Sequence, residues 1–152
     1  GASHDGKIHE LSTEKWEKNI EDNFTSVFRA LRLCLPRMNG VQSNVVAVGS
    51  IVASLGGNGC AGYAAAKSGL GVLVRAAANE WVTTNICINL LELGYIDSGM
   101  GSRLSQKVKE KVLPSIPLGR FGTEEDFVHA VEFLATTRYM TGNVLTLAGG
   151  MR

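Results

Sequence analysis

Short, predominantly apolar runs alternate along this chain with longer segments in which apolar residues recur at helical spacing. Residues 44–48 and 86–91 are runs of the kind that form buried strands, and residues 143–147 give a third. Helical patterns cover residues 16–35, 63–82, 104–112 and 124–136. Strands that alternate with helices predict an α/β fold with a parallel sheet.

Local signals predict where these elements begin and end. Ser12 or Thr13 would cap the first helix and Pro36 would end it, while Thr123 would cap the last helix. Residues 51–62 and 94–102 are expected to be irregular. A sheet of only three strands is narrow and has open edges, so we expect a further segment to pair with it.

Composition excludes several classes of function. The 152 residues are 45% hydrophobic and carry a net charge of +1, which predicts a single soluble domain without a nucleic-acid partner. There is no secretory signal and no apolar stretch near the roughly 20 residues that span a bilayer, so we expect a cytoplasmic protein without a membrane partner.

Cysteine and histidine spacing gives no sign of a metal site. Cys34, Cys60 and Cys87 are odd in number and include no C-x-x-C pair, which argues against both disulfides and zinc. We therefore predict no bound metal.

Candidate chemistry is concentrated between the first two strands. Tyr63 and Lys67 are four residues apart at the start of a helix, so their side chains can meet. A nearby ammonium favours the phenolate, so Lys67 is predicted to lower the pKa of Tyr63 towards a useful range. Ser50 follows the strand directly, at the carboxyl end of the sheet where ligands collect in open α/β folds.

These residues resemble the short-chain dehydrogenases/reductases, in which Ser, twelve residues and Y-x-x-x-K follow one another. The chain reads S-IVASLGGNGCAG-YAAAK, and YAAAKSGL is similar to the bacterial 3-oxoacyl-carrier-protein reductase branch. Further similar segments are DNFTSVF, IN followed by GYIDS, PLGRFG and the terminal Gly149-Gly150. The resemblance implies a Rossmann-like, doubly wound parallel sheet.

The resemblance also implies roles for individual residues. The catalytic set would be Asn23, Ser50, Tyr63 and Lys67: Tyr63 exchanges the proton, Ser50 orients the carbonyl, and Asn23 holds a water near Lys67. Tyr63 and Lys67, together with Gly94, Ile96 and Ser98, would hold a nicotinamide cofactor, NADP(H) rather than NAD(H). The implied reaction is reduction of a ketone, a 3-oxoacyl thioester above all, by a homotetramer that takes a small-molecule or carrier-bound acyl substrate.

The departures from the family pattern are also informative. The glycine-rich dinucleotide turn is not in the chain, so residues 1–152 are interpreted as the catalytic half of one domain, and Gly1-Ala2-Ser3 as a remnant of the preceding strand. This half alone is expected to be inactive. Leu93 replaces the usual proline, Ala148 replaces the usual aspartate, and Glu92 adds a carboxylate that argues against efficient cofactor binding.

A second hypothesis comes from a different functional class. A scaffold or regulatory subunit could keep the fold and pair with an active partner without catalysing a reaction. The missing dinucleotide turn favours this reading, whereas the retained Asn, Ser, Tyr and Lys favour the enzyme.

Overall fold

A three-stranded parallel sheet forms the centre of the molecule in a computed structural model, which describes residues 2–152. The strands are β1 (Ser43–Val48), β2 (Ile86–Leu93) and β3 (Val144–Leu147), in the spatial order β1-β2-β3. Ser43 is paired with Ile86, and Leu90 with Val144. The parallel sheet and its connecting helices confirm the predicted Rossmann-like α/β fold.

Six α-helices connect and flank these strands. They are α1 (Thr13–Ile20), α2 (Ser26–Met38), α3 (Val52–Leu55), α4 (Ala61–Trp81), α5 (Gln106–Val112) and α6 (Glu124–Thr136). A π-helical turn, Glu21–Thr25, joins α1 to α2, and 3-10 turns follow α4 and α5. The Ser12 hydroxyl accepts a hydrogen bond from the Lys15 N–H at 3.3 Å and so caps α1.

Several predicted boundaries were wrong. Pro36 does not end the first helix, because α2 continues to Met38 and a proline this close to the end removes only one hydrogen bond. The predicted continuous helix is also interrupted by the π-helical turn. Part of the expected loop at 51–62 folds as α3, β2 extends beyond Leu91 to Leu93, and α5 begins at Gln106 rather than Leu104.

The main hydrophobic core lies between the sheet and the helices α2 and α4. Leu31 and Leu35 of α2, with Leu70 and Val74 of α4, belong to one buried cluster that also contains Ala47, Ile88 and Leu90 from the strands. Helix α6 meets the opposite face, where the Asn44 amide donates to the carbonyls of Leu134 and Thr137 at 2.7 and 2.8 Å. Both faces of the sheet are therefore covered.

β1 forms one open edge of the sheet. Within residues 2–152 it pairs with β2 alone, and a groove of about 380 Å³ runs beside it. The groove is lined mainly by apolar residues of α2 and β1, among them Val27, Leu31 and Val45. The predicted open edge is thus confirmed. None of the described helices is long and apolar enough to cross a membrane.

The start of α6 carries a reciprocal cap. The Thr123 hydroxyl accepts from the Asp126 N–H at 3.1 Å, and the Asp126 carboxylate accepts from the Thr123 N–H at 2.8 Å. The Arg120 guanidinium donates to the same carboxylate at 2.7 Å. This guanidinium and the Thr123 N–H hold the pKa of Asp126 well below its ordinary value of 3.8.

We expect Asp126→Asn to lower the melting temperature at neutral pH by about 2–4 °C. Because the pKa of Asp126 is depressed in the folded state, its contribution is present above 3.8 and is lost as pH falls through the folded-state pKa. Thermal unfolding from neutral pH down to about pH 2 should therefore show the two proteins converging. Glu125→Gln, an exposed neighbour, is the control, and a gap that stays constant with pH would contradict this account.

Candidate active site

Ser50 lies just beyond the carboxyl end of β1, where β2 holds the chain on both sides of it. The Gly49 N–H donates to the Leu91 carbonyl at 2.8 Å, and the Ile51 N–H donates to the Leu93 carbonyl at 2.7 Å. The Ser50 hydroxyl accepts from the Val52 N–H at 3.3 Å, in the first turn of α3. Its position is therefore set by the strand pairing and by α3 together.

Tyr63 and Lys67 come from the first two turns of α4 and meet Ser50. The Ser50 hydroxyl lies near enough to the Tyr63 phenol to lower the pKa of Tyr63. The Lys67 ammonium lies 5.8 Å from the centre of the Tyr63 ring and donates to the Val48 carbonyl at 3.0 Å. Three predicted residues are thus brought together at the end of β1.

Burial shifts the pKa values of Tyr63 and Lys67 in the directions that favour the uncharged side chain. Burial raises the pKa of Tyr63, the neighbouring Ser50 hydroxyl opposes this rise, and the charges of Cys60 and Asp5 add to it. Burial likewise lowers the pKa of Lys67. The direction for Tyr63 is opposite to the one predicted from sequence, because loss of solvent outweighs the other influences.

Asn23 lies in the π-helical turn, fully buried. Its amide group donates to the carbonyls of Ala2 and Asn19 at 2.7 and 3.1 Å. Its Oδ1 is buried and has no hydrogen-bond partner within residues 2–152. Among those residues no hydrogen bond joins Asn23 to Lys67 directly, but an unpaired buried acceptor is the kind of group that binds an internal water.

Asn19 is a buried polar residue that the sequence reasoning missed. Its Oδ1 accepts from the His4 N–H at 3.1 Å, and its amide donates to the His4 carbonyl at 2.9 Å. A Cβ on Gly62 would lie 2.7 Å from this amide, so α4 can approach only because residue 62 is glycine. The sequence signal that could have revealed Asn19 is its spacing: Asn19 and Asn23 are four residues apart on an apolar helix stripe.

The predicted cofactor segment follows β2. The Gly94 N–H donates to the Leu147 carbonyl at 2.9 Å, Ile96 pairs with Gly122, and the Ser98 hydroxyl donates to Glu124 at 2.5 Å. Burial raises the pKa of Tyr95 in this segment, and the Cys60 charge adds to the rise. The segment is anchored to β3 and to the start of α6.

Two departures from the family pattern have structural consequences. A Cβ on Gly94 would lie 2.7 Å from the Cα of Ala148, so the backbones of these segments are in close contact. Glu92 is 7% exposed, and its oxygens accept hydrogen bonds from the Ser54 and Thr146 hydroxyls, each at 3.2 Å. The carboxylate is therefore satisfied within the fold.

Metal-binding side chains do not gather anywhere in the described part of the chain: residues 2–152 contain no group of three or more His, Cys, Asp or Glu that could hold an ion. The predicted remnant Gly1-Ala2-Ser3 is only partly visible, because Gly1 lies outside the described residues. Ala2 and Ser3 are not in a strand.

Comparison with known proteins agrees with the fold. A family model described as enoyl-(acyl carrier protein) reductase matches residues 1–152. The chain belongs to the short-chain dehydrogenase/reductase family. The 3-oxoacyl-(acyl-carrier-protein) reductases FabG of Staphylococcus aureus and Chlamydia pneumoniae are 33% and 36% identical to it over alignments of 154 positions that cover 99% of this chain. The chain spans 63% and 62% of the length of these curated relatives.

Solved members of the short-chain dehydrogenase/reductase family have the same fold. A protein from Agrobacterium tumefaciens described as a 2-deoxy-D-gluconate 3-dehydrogenase, with bound NADP, has a TM-score of 0.92 and 29% identity. An NADPH-bound short-chain oxidoreductase from Pseudomonas aeruginosa PAO1, described as containing an atypical catalytic center, has a TM-score of 0.89 and 27% identity. They are matched by 99% and 100% of this chain, which covers 63% of each structure.

Proposed function

We propose that the full-length protein is an NADP(H)-dependent oxidoreductase that reduces a ketone to an alcohol. The observation that carries this proposal is the convergence of Ser50, Tyr63 and Lys67 at the end of β1, where Lys67 contacts both Val48 and the Tyr63 ring and Ser50 lowers the pKa of Tyr63. A carbonyl that accepts hydride develops negative charge on its oxygen, and two hydroxyl donors at that oxygen stabilise it. The reaction class follows from this donor pair.

Tyr63 is suited to donate a proton. A raised pKa keeps its phenol protonated at neutral pH, which is the form that reduction requires. When bound, the reduced nicotinamide supplies the hydride. Tyr63 then gives its proton to the carbonyl oxygen, and Ser50 holds that oxygen in place.

The remaining predicted residues fit a nicotinamide cofactor. The Lys67 ammonium has three N–H donors, and its contact with Val48 leaves others for a ribose hydroxyl. The main chain at Gly94 and Ile96 and the hydroxyl of Ser98 would hold the carboxamide. The orphaned Oδ1 of Asn23 would hold the water that serves Lys67. The bound NADP and NADPH of two related structures support NADP(H) over NAD(H).

A 3-oxoacyl thioester is the proposed substrate. Two curated relatives, 33% and 36% identical, are named as 3-oxoacyl-(acyl-carrier-protein) reductases. The family model is also named for an acyl-carrier-protein reductase. The names of these relatives indicate a carrier-bound acyl group, and for this protein we propose a small-molecule or carrier-bound acyl substrate.

We further propose that a dinucleotide-binding segment outside residues 1–152 completes the sheet. The open edge of β1 and its apolar groove support this, since an unpaired parallel edge next to apolar surface favours a further strand. The 63% coverage of relatives and of solved structures agrees with it. In this view the phosphates of the cofactor are bound by that segment.

We expect Tyr63→Phe in the full-length protein to reduce turnover of a 3-oxoacyl thioester by at least about 100-fold without loss of fold, because it removes the proton donor and little volume. NADPH oxidation measures the rate, and circular dichroism checks the fold. Tyr139→Phe, at a fully exposed tyrosine, should behave as wild type. Activity of Tyr63→Phe within a few-fold of wild type would refute the assignment, and an inactive full-length wild type would favour a non-catalytic scaffold.

We expect residues 1–152 alone to bind NADPH with a Kd no better than about millimolar, since nicotinamide and ribose contacts must supply all the binding energy. The same chain should show no measurable reduction of a 3-oxoacyl thioester. Calorimetry and NADPH fluorescence test the affinity directly. A micromolar Kd for this chain would mean that its cofactor site differs from the one proposed.

We expect the full-length protein to be a homotetramer with helices α1, α2 and α4 at a subunit interface. Exposed apolar side chains on these helices support this assembly: Trp16, Phe28, Leu33 and Val72. Light scattering at micromolar concentration gives the molar mass. A monodisperse monomer would contradict the assembly. If the homotetramer forms, the double variant Leu33→Ser, Val72→Ser should weaken it.

A further inference from the structure

Glu92 is a carboxylate in an otherwise apolar strand environment. It is 7% exposed, and β2 places it on the same face as the core residues Ile88 and Leu90. A buried carboxylate is costly unless it is hydrogen-bonded. Its Oε1 accepts from the Ser54 hydroxyl and its Oε2 from the Thr146 hydroxyl, each at 3.2 Å.

These two bonds lead to different parts of the fold. Thr146 lies in β3, which already pairs with β2, and it is the residue directly opposite Glu92 in that pairing. Ser54 lies in α3, the short helix that follows Ser50. The bond to Ser54 therefore ties α3 to the sheet, whereas the bond to Thr146 adds to an existing strand pairing.

Helix α3 in turn holds the Ser50 hydroxyl in position. The Val52 N–H of α3 donates to that hydroxyl at 3.3 Å, and the same hydroxyl lowers the pKa of Tyr63. The carbonyls of Leu91 and Leu93, on either side of Glu92, accept from Gly49 and Ile51. Residues 91–93 thus hold the chain around Ser50 at three points, two through main chain and one through the Glu92 side chain.

We propose that Glu92 is a positioning residue that directs the Ser50 hydroxyl towards Tyr63 by anchoring α3 through Ser54. The inference rests on the proposed function, in which Ser50 and Tyr63 act on one carbonyl oxygen. Glu92 is buried and each of its oxygens accepts from a hydroxyl of the fold, so we assign it a role through α3 and Ser50 and not one on the substrate.

The acidity of Tyr63 reports this arrangement without any need for turnover. The nearby Ser50 hydroxyl lowers the pKa of Tyr63 against the effect of burial, so moving Ser50 away should raise that pKa further. Cys60 and Asp5 also raise the pKa of Tyr63, and neither is changed in the variants below. The chain is labelled with 3-fluorotyrosine, whose phenol is more acidic than that of tyrosine, and Tyr63 is titrated by fluorine NMR, with Tyr63→Phe assigning its signal.

Four variants give the test. Ser50→Ala removes the hydroxyl entirely, so it gives the largest rise in the Tyr63 pKa with which the other variants are compared. Glu92→Ala and Ser54→Ala should each raise the Tyr63 pKa as well. The double variant should raise it no further than Glu92→Ala does. Glu92→Gln keeps one hydrogen-bond acceptor and should raise it less than Glu92→Ala. Thr146→Val removes the other hydrogen bond of Glu92 and should leave the Tyr63 pKa at the wild-type value. Ser54 is exposed, so its variant remains informative even if Glu92→Ala fails to fold.

In the full-length protein, Ser54→Ala and Glu92→Ala should lower kcat by about ten-fold with little change in NADPH affinity, and their effects should not add. An unshifted Tyr63 pKa in Ser54→Ala, or in Ser50→Ala, would overturn the inference. If the variants shift the Tyr63 pKa but the full-length wild-type protein has no reductase activity, the proposed function is overturned and the positioning role stands.

Discussion

The pairing of β1 with β2 continues past the end of β1, and the rest of the site depends on it. Gly49 and Ile51 both donate to β2, so Ser50 sits at a fixed place between two backbone hydrogen bonds. A serine on a free loop would sample many positions, and ordering it would cost conformational entropy at each turnover. Here that entropy is lost once, when the sheet forms.

Close packing around α4 determines how the remaining groups behave. Gly62 lets α4 approach the buried Asn19, and packing of the same helix against the rest of the fold removes solvent from Tyr63 and Lys67. Loss of solvent makes each group harder to ionise, which keeps the phenol protonated and lowers the pKa of the ammonium. The packing that stabilises the helix thus also adjusts the acid that the proposed reaction uses.

Much of the fold follows from local pattern. The three strands are short apolar runs, and Thr123 caps the last helix as predicted, with Asp126 completing a reciprocal cap. Other elements depended on context. Pro36 stays inside α2 because packing along that helix outweighs one lost hydrogen bond, and α3 forms where the sequence suggests a loop because Ser50, Ser54 and Glu92 hold it.

The sequence by itself determined the residue types and spacings that chemistry needs: Ser50, Tyr63 and Lys67 with a strand before them, and the family to which they belong. Only the tertiary structure decided the direction of the Tyr63 pKa, because burial depends on neighbours that are distant in sequence. It likewise showed Glu92 as a satisfied link between α3 and β3, since its partners lie 38 residues before it and 54 after it. Spacing describes which side chains share a helix face; solvent exposure and long-range hydrogen bonds are properties of the packed chain.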